Sequence, residues 1–200
     1  MKNSIRKNYF QELAGQDPED VCRRALCKYD DVKKVYTLPV WGDEYAVYPH
    51  EFKVDRISKN VQSPHEFFYL LIIYYLLNSK IIEASKEWIS EKDIPGGTTF
   101  FRGPHKIPTD LISLRFNSNI NEFKKRCDQL HGIPLNLADA AYGFEITPRI
   151  PVAVLYWGGD DEFPAESKIL YDRTITEHLA SDVIYALSVG ICERLGESIG

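Results

Sequence analysis

Apolar positions along this chain change their spacing several times, and each change marks an element. Tyr9, Phe10 and Leu13 give a helical hint, and Asp17-Pro18-Glu19-Asp20 then supplies an N-cap, a proline at the first helical position and acids in the first turn. That predicts a helix from Pro18 to Lys28. From Lys33 the period falls to two and β-branched and aromatic residues dominate, so residues 34–57 read as a small antiparallel meander with a turn at Gly42-Asp43. Ser63-Pro64-His65-Glu66 has the form of a capping box. It opens a helix in which Phe67, Leu70, Leu71, Tyr74, Leu77 and Ile81 repeat at three and four. Phe68, Ile72, Ile73 and Tyr75 fill its other faces, which predicts a helix covered nearly all round.

Beyond it, Trp88-Ile89-Ser90 reads as an extended piece ending in the Pro95-Gly96 turn, and a short helix opens near Thr109-Asp110. Asn119 caps an amphipathic helix that closes at His131-Gly132. Ala141–Ile146 and Val152–Tyr156 are expected as neighbouring antiparallel strands. The second is apolar on both faces, hence a central strand with the Phe67–Leu77 helix on one side and further chain on the other. Lys168–Tyr171 is a further strand. Thr174-Ile175-Thr176-Glu177 reads as a second capping box, opening a last helix in which Ile175, Leu179, Val183, Leu187, Ile191 and Leu195 recur every fourth residue up to Gly196. Helices bracket runs of strands instead of alternating with them. The fold class is therefore α+β: one domain over residues 1–200, with 1–16 as an N-terminal extension and 17–196 as core. Its mixed or mainly antiparallel sheet packs against a buried central helix and a C-terminal helix.

Composition narrows the function classes. A net charge of -5 with interspersed signs offers no basic face for a phosphate backbone, so nucleic acid is not an expected partner. The greasiest run is well short of the roughly 20 residues that span a bilayer, and the polar N-terminus carries no export signal, so a cytoplasmic protein is expected. Cys22, Cys27, Cys127 and Cys192 form no C-x-x-C pair. A zinc ribbon, a thioredoxin-type site and a self-contained iron–sulfur motif are thereby disfavoured, and Cys22 and Cys27, five apart on a helix, are expected as reduced thiols on somewhat different faces.

The stretch Pro151-Val152-Ala153-Val154-Leu155-Tyr156-Trp157-Gly158-Gly159-Asp160-Asp161-Glu162-Phe163-Pro164, the later Ile169-Leu170-Tyr171-Asp172 and the helix from His178 resemble the domain of unknown function 3786 family, over about residues 20–196. The tryptophan-to-proline stretch is the most specific part. The resemblance implies an anaerobic bacterium or archaeon and a setting of metal or corrinoid cofactor chemistry, since family members sometimes carry an iron–sulfur module. It carries over no reaction and no catalytic residue, and this chain lacks the ferredoxin-like cysteine run.

Asp160, Asp161 and Glu162 follow the central strand, where folds present functional loops. Three adjacent carboxylates suit a hard cation or a general acid/base with a raised pKa, and Asp172 joins them if the two strands place it near. The plain alternative is a solvated turn whose Phe163 plugs into the core. His178 and Asp182, four apart, suit metal ligation from one helical face or a solvent-facing pair. His50, His65, His105 and His131 stand apart in sequence, and two of them converging would give axial ligands for a tetrapyrrole. Phe100-Phe101-Arg102-Gly103-Pro104-His105-Lys106 combines aromatics and cations that can grip a planar or anionic ligand, or simply plug a surface.

The first expectation is a cytoplasmic binding or accessory protein for a small molecule or metallocofactor, corrinoid or haem-like, held by Phe101, Arg102, His105, Trp157 and Asp160. The second is a metal-assisted enzyme using Asp160, Asp161, Glu162 and His178. The third is a structural subunit that docks a protein partner.

Overall fold

The computed structural model describes residues 7–58 and 66–197. The capping box read at Ser63-Pro64-His65 lies outside the described residues, but the helix it introduces begins at Glu66.

Helix α1 (Lys7–Ala14) sits in the region read as an extension, yet its Phe10 and Leu13 enter the main core. Helix α2 (Pro18–Ala25) starts as expected, with Asp17 accepting from the Glu19 amide, but stops three residues early because Leu26 turns to a positive φ. Strands β1 (Lys28–Asp30), β2 (Val35–Val40), β3 (Asp43–Tyr48) and β4 (Lys53–Arg56) form an antiparallel sheet in sequence order. Its tightest corner is Trp41-Gly42, with φ of 45 and 77, which gives the primed turn that a two-residue hairpin requires. A tryptophan is an unusual choice there, and the tertiary contacts of its indole explain it. The ring lies edge-on to Phe68 and Phe144, its N–H donates to the Leu130 carbonyl, and its backbone N–H donates to Ile146.

Helix α3 (Glu66–Asn78) is the predicted buried helix: Phe68, Leu71, Ile72, Ile73, Tyr75, Leu76 and Leu77 are all within the core. It ends before Ile81, which is 57% exposed rather than on its apolar face. Arg24 meets the end of the helix, donating to the Ser79 carbonyl at 2.8 Å and, at longer range, to those of Leu76 and Leu77.

Strand β5 (Trp88–Ile89) precedes helix α4 (Gly97–Phe100), helix α5 (Asp110–Phe116) and helix α6 (Ile120–Gln129). Gly132, just beyond α6, is required by close approach and not by its torsion: a Cβ there would sit 2.7 Å from Phe144 and 2.9 Å from Tyr142. Strands β6 (Ile133–Leu135), β7 (Ala140–Thr147), β8 (Ile150–Trp157) and β9 (Glu166–Asp172) join β5 in a five-stranded antiparallel sheet of order β5-β9-β8-β7-β6. The chain is α+β, with β8 central as expected.

The second capping box does not form. The Thr174 hydroxyl donates instead to Asp172, the helix closes after one turn as α7 (Ile175–His178), and α8 (Ser181–Gly196) starts separately. Helices α3 and α8 pack closely through Gly190, where a Cβ would stand 3.3 Å from Phe68. The inner face of the five-stranded sheet, with Tyr142, Val152, Val154, Tyr156 and Tyr171, belongs to the same core: Tyr171 shares a hydrogen bond with Ser188 of α8, and Phe116 of α5 and Phe123 of α6 pack on Tyr156.

Candidate functional site

The outer face of that sheet departs most from the sequence reading. On β8, Ala153 and Leu155 are buried as predicted, but among the described residues the apolar side chains packed on them come from neighbouring strands and not from a helix. They form an apolar cluster separate from the main core, drawn from strand residues alone: Ala141, Ala153 and Leu155 below, with Trp88, Leu135, Trp157 and Leu170 half-buried above. The register explains the arrangement. Ala153 lies opposite Leu170 on one side and Gly143 on the other, and Gly143 opposite Ile133. Leu155 lies between Lys168 and Ala141, and Ala141 is opposite Leu135. Since directly opposed residues share a face, alternation places a floor of Ala, Gly and Ala under bulky flanks. Ile133, 70% exposed, extends the floor at the β6 edge.

At the β8 end of this face lies the acidic turn. Trp157 pairs with Glu166, Gly158 donates to Asp139 and packs on Ile120, and Gly159 meets Asn117, so the turn rests on the α5–α6 corner. The Phe100–Lys106 loop packs elsewhere. Its His105 stacks on Phe100 at 4.6 Å with the planes 2° apart and meets Tyr185 edge-on, Phe101 is buried, and the Tyr185 hydroxyl donates to Pro104. The rings of that loop are satisfied by one another, leaving Arg102 and Lys106 exposed.

Within the turn, Asp160 Oδ1 accepts the backbone N–H groups of Glu162 and Phe163, and those bonds hold its carboxyl below the usual range. The raised pKa expected of one clustered carboxylate is therefore not found on Asp160, because solvent and amide dipoles stabilise its charge. Phe163 does not plug into the core; it is 67% exposed. Asp172 does not join the cluster. The antiparallel register sets Val152 opposite Tyr171 and Trp157 opposite Glu166, so Asp172 stands at the far end of β8.

His178 is at that far end too, which separates it from Asp160, Asp161 and Glu162, and the extended Leu179 and Ala180 between α7 and α8 take it off the helix that carries Asp182. Its ring is 1% exposed and Nδ1 accepts the Lys80 amide at 3.2 Å, which assigns the proton to Nε2. Burial, with Arg149 nearby, pushes its pKa down. Around it the irregular segment 79–87 is pinned to the sheet end. Asp172 accepts from Ser85, Lys86 and Thr174, which hold its carboxyl low although burial acts to raise it. Arg149 donates to the carbonyls of Arg24 and Ile82. Among the described residues, no group of three His, Cys, Asp or Glu is arranged to hold a metal ion.

The sequence reading set Trp157 at the end of the central strand and Asp160 in the turn after it, as the structure has them, but it missed the floor. Its signal was there: small residues at Ala141, Gly143 and Ala153 mark positions that the two facing sides of β7 and β8 share. It also missed Asp43, a buried carboxylate at 3% exposure that accepts from Arg56 at 2.8 Å, Arg194 at 3.1 Å and Ser58 at 2.9 Å.

Among the described residues no helix is long and apolar enough to cross a membrane. Comparison with curated proteins and with solved structures finds no match. The family model described as Domain of unknown function (DUF3786) does match, over residues 17–194, from the Asp17 that caps α2 to the Arg194 that grips Asp43, and the chain belongs to that family.

Proposed function

We propose that the chain is an accessory protein that docks a protein partner on the outer face of its five-stranded sheet, the partner presenting an apolar segment flanked by lysine or arginine. The observation that carries this reading is the separate strand-only cluster with two half-buried tryptophans on it. Isolated exposed leucines are ordinary, but a contiguous apolar sheet face is a feature of interaction surfaces. Charge selects the partner's chemistry. Asp139, Glu145, Asp160, Asp161, Glu162 and Glu166 are exposed around the face against Lys168, so two copies of this chain would set acid against acid, whereas a basic-flanked segment is attracted.

The same floor supports a second reading, a small planar ligand of the corrinoid or haem type stacked beside Trp157, because Ala141, Gly143 and Ala153 leave it flat. None of the described histidines lies on this face, so stacking and not axial ligation would hold such a ring.

Fluorescence separates the two. Trp41 is buried in the core while Trp88 and Trp157 sit on the face. A synthetic apolar peptide with lysine flanks is expected to shift the emission, a glutamate-flanked version is not, and Leu170→Glu is expected to remove the response with the circular dichroism unchanged. Titration with cobalamin and haemin tests the planar ligand. Silence towards both peptides and both cofactors overturns the assignment of this face.

A further inference from the structure

Independently of the sheet face, we infer that Cys22 and Cys27 form a redox-active dithiol, a modification site that closes to an intramolecular disulfide by exchange with a low-molecular-weight disulfide. Spacing along an ideal helix sets these residues on different faces, but the helix does not continue through both. Leu26 adopts φ 52, and the Cys27 amide donates to the Cys22 carbonyl at 3.3 Å. This six-to-one bond past a left-handed residue is the Schellman ending, in which the third residue from the helix end and the second beyond it come into side-chain contact. Here that contact is between two sulfurs, Sγ to Sγ 3.7 Å. The left-handed turn that brings them together falls on a leucine and not a glycine, so the contact is held by a backbone conformation that L side chains disfavour.

Both thiols are partly exposed and free, whereas Cys127 and Cys192 are buried at 0%. Burial pushes the Cys22 and Cys27 thiols up, Cys27 the more, which makes the pair slow to react without thiolate formation but does not separate the sulfurs. The chemistry balances as two exchanges. The Cys22 thiolate attacks one sulfur of the small disulfide, whose other half leaves as a thiolate and takes up a proton. The Cys27 thiolate then attacks Cys22 Sγ and expels the second half. Two electrons pass from the protein dithiol to the small disulfide, which leaves as two thiols.

The test is incubation of the folded protein with oxidised glutathione at mildly alkaline pH and low protein concentration, followed by acid quenching, alkylation and tryptic mapping. Cleavage after Lys7, Arg23, Arg24 and Lys28 puts Cys22 in peptide 8–23 and Cys27 in peptide 25–28. The expected product is these two peptides joined, with the intact protein lighter by two hydrogens, still monomeric in mass and restored by a dithiol reductant. Cys22→Ser and Cys27→Ser should each instead retain one glutathione on the remaining cysteine. If the wild type retains stable glutathione adducts at the rate of the single variants, or links only between molecules, the inference fails. It fails equally if both peptides stay unmodified while a denatured sample reacts.

Discussion

Asp43 is the residue whose burial demands most from its surroundings. Desolvation acts to raise its pKa, yet the Ser58 hydroxyl with Arg194 and Arg56 holds the carboxyl below its ordinary range. Arg194 also lies over the Trp41 ring at 4.7 Å, so one carboxylate links α8, β4 and the turn that joins the two sheets. Removing a single partner of such a buried set leaves charge uncompensated, and Asp43→Ala is expected to lower the unfolding free energy by roughly 3–5 kcal/mol in urea titration. His178 makes the opposite electrostatic bargain by remaining neutral. Its folded pKa is depressed, so the unfolded chain takes up a proton first as pH falls, and stability should decline once pH drops below about 6.5, the ordinary histidine value. Urea midpoints measured from about pH 7.5 to about 5.5 are expected to fall for the wild type, and His178→Asn, whose side-chain oxygen can accept the Lys80 amide, should flatten that slope.

At the scale of elements, specific contacts, and not hydrophobic spacing, set where helices pack and where they end. The α3–α8 contact has room for no side chain at Gly190, and Gly190→Val is expected to cost about 1–3 kcal/mol by overpacking against Phe68, measured by chemical denaturation. Periodicity foretold α3, α6, β7, β8 and β9 because each buries a complete face whose spacing is written in consecutive residues. It failed at Ile81, Leu26 and Thr174 for a different reason. Arg24 meets the end of α3 from another helix, Leu26 turns α2 into its closing hydrogen bond, and Asp172 takes the hydroxyl that a local cap would have used. Only the first of these partners is distant in sequence; the other two are near, but neither follows from hydrophobic spacing.

For the whole molecule, the two faces of the five-stranded sheet differ: the inner one joins the main core with its helices, and the outer one is an acid-rimmed apolar floor built from strand residues. If charge steers the partner to that floor, raising the salt from about 0.05 to 0.5 M should weaken binding of the lysine-flanked peptide, since the Debye length falls well below 10 Å over that range. A response that is independent of salt would assign the attraction to the floor alone. Trp157→Ala should weaken binding at every salt concentration, because it removes apolar area from the floor and leaves the acidic rim intact.

The sequence alone determined the α+β class, the central place of Val152–Tyr156, the core position of the Phe67–Leu77 helix and the position of the acidic turn, because hydrophobic spacing is a local record of which faces are buried. Strand register decided that Asp172 lies at the opposite end from Asp160, and the short helix that follows holds His178 there against Lys80, which dissolved the metal set read from the sequence. Three-dimensional packing likewise decided that, among the described residues, the outer face of β8 is packed by strand side chains and that two cysteines five residues apart touch. A buried apolar strand face reads the same whether a helix or its own neighbouring side chains exclude the water, and a helix pattern does not announce the residue at which a left-handed turn ends it.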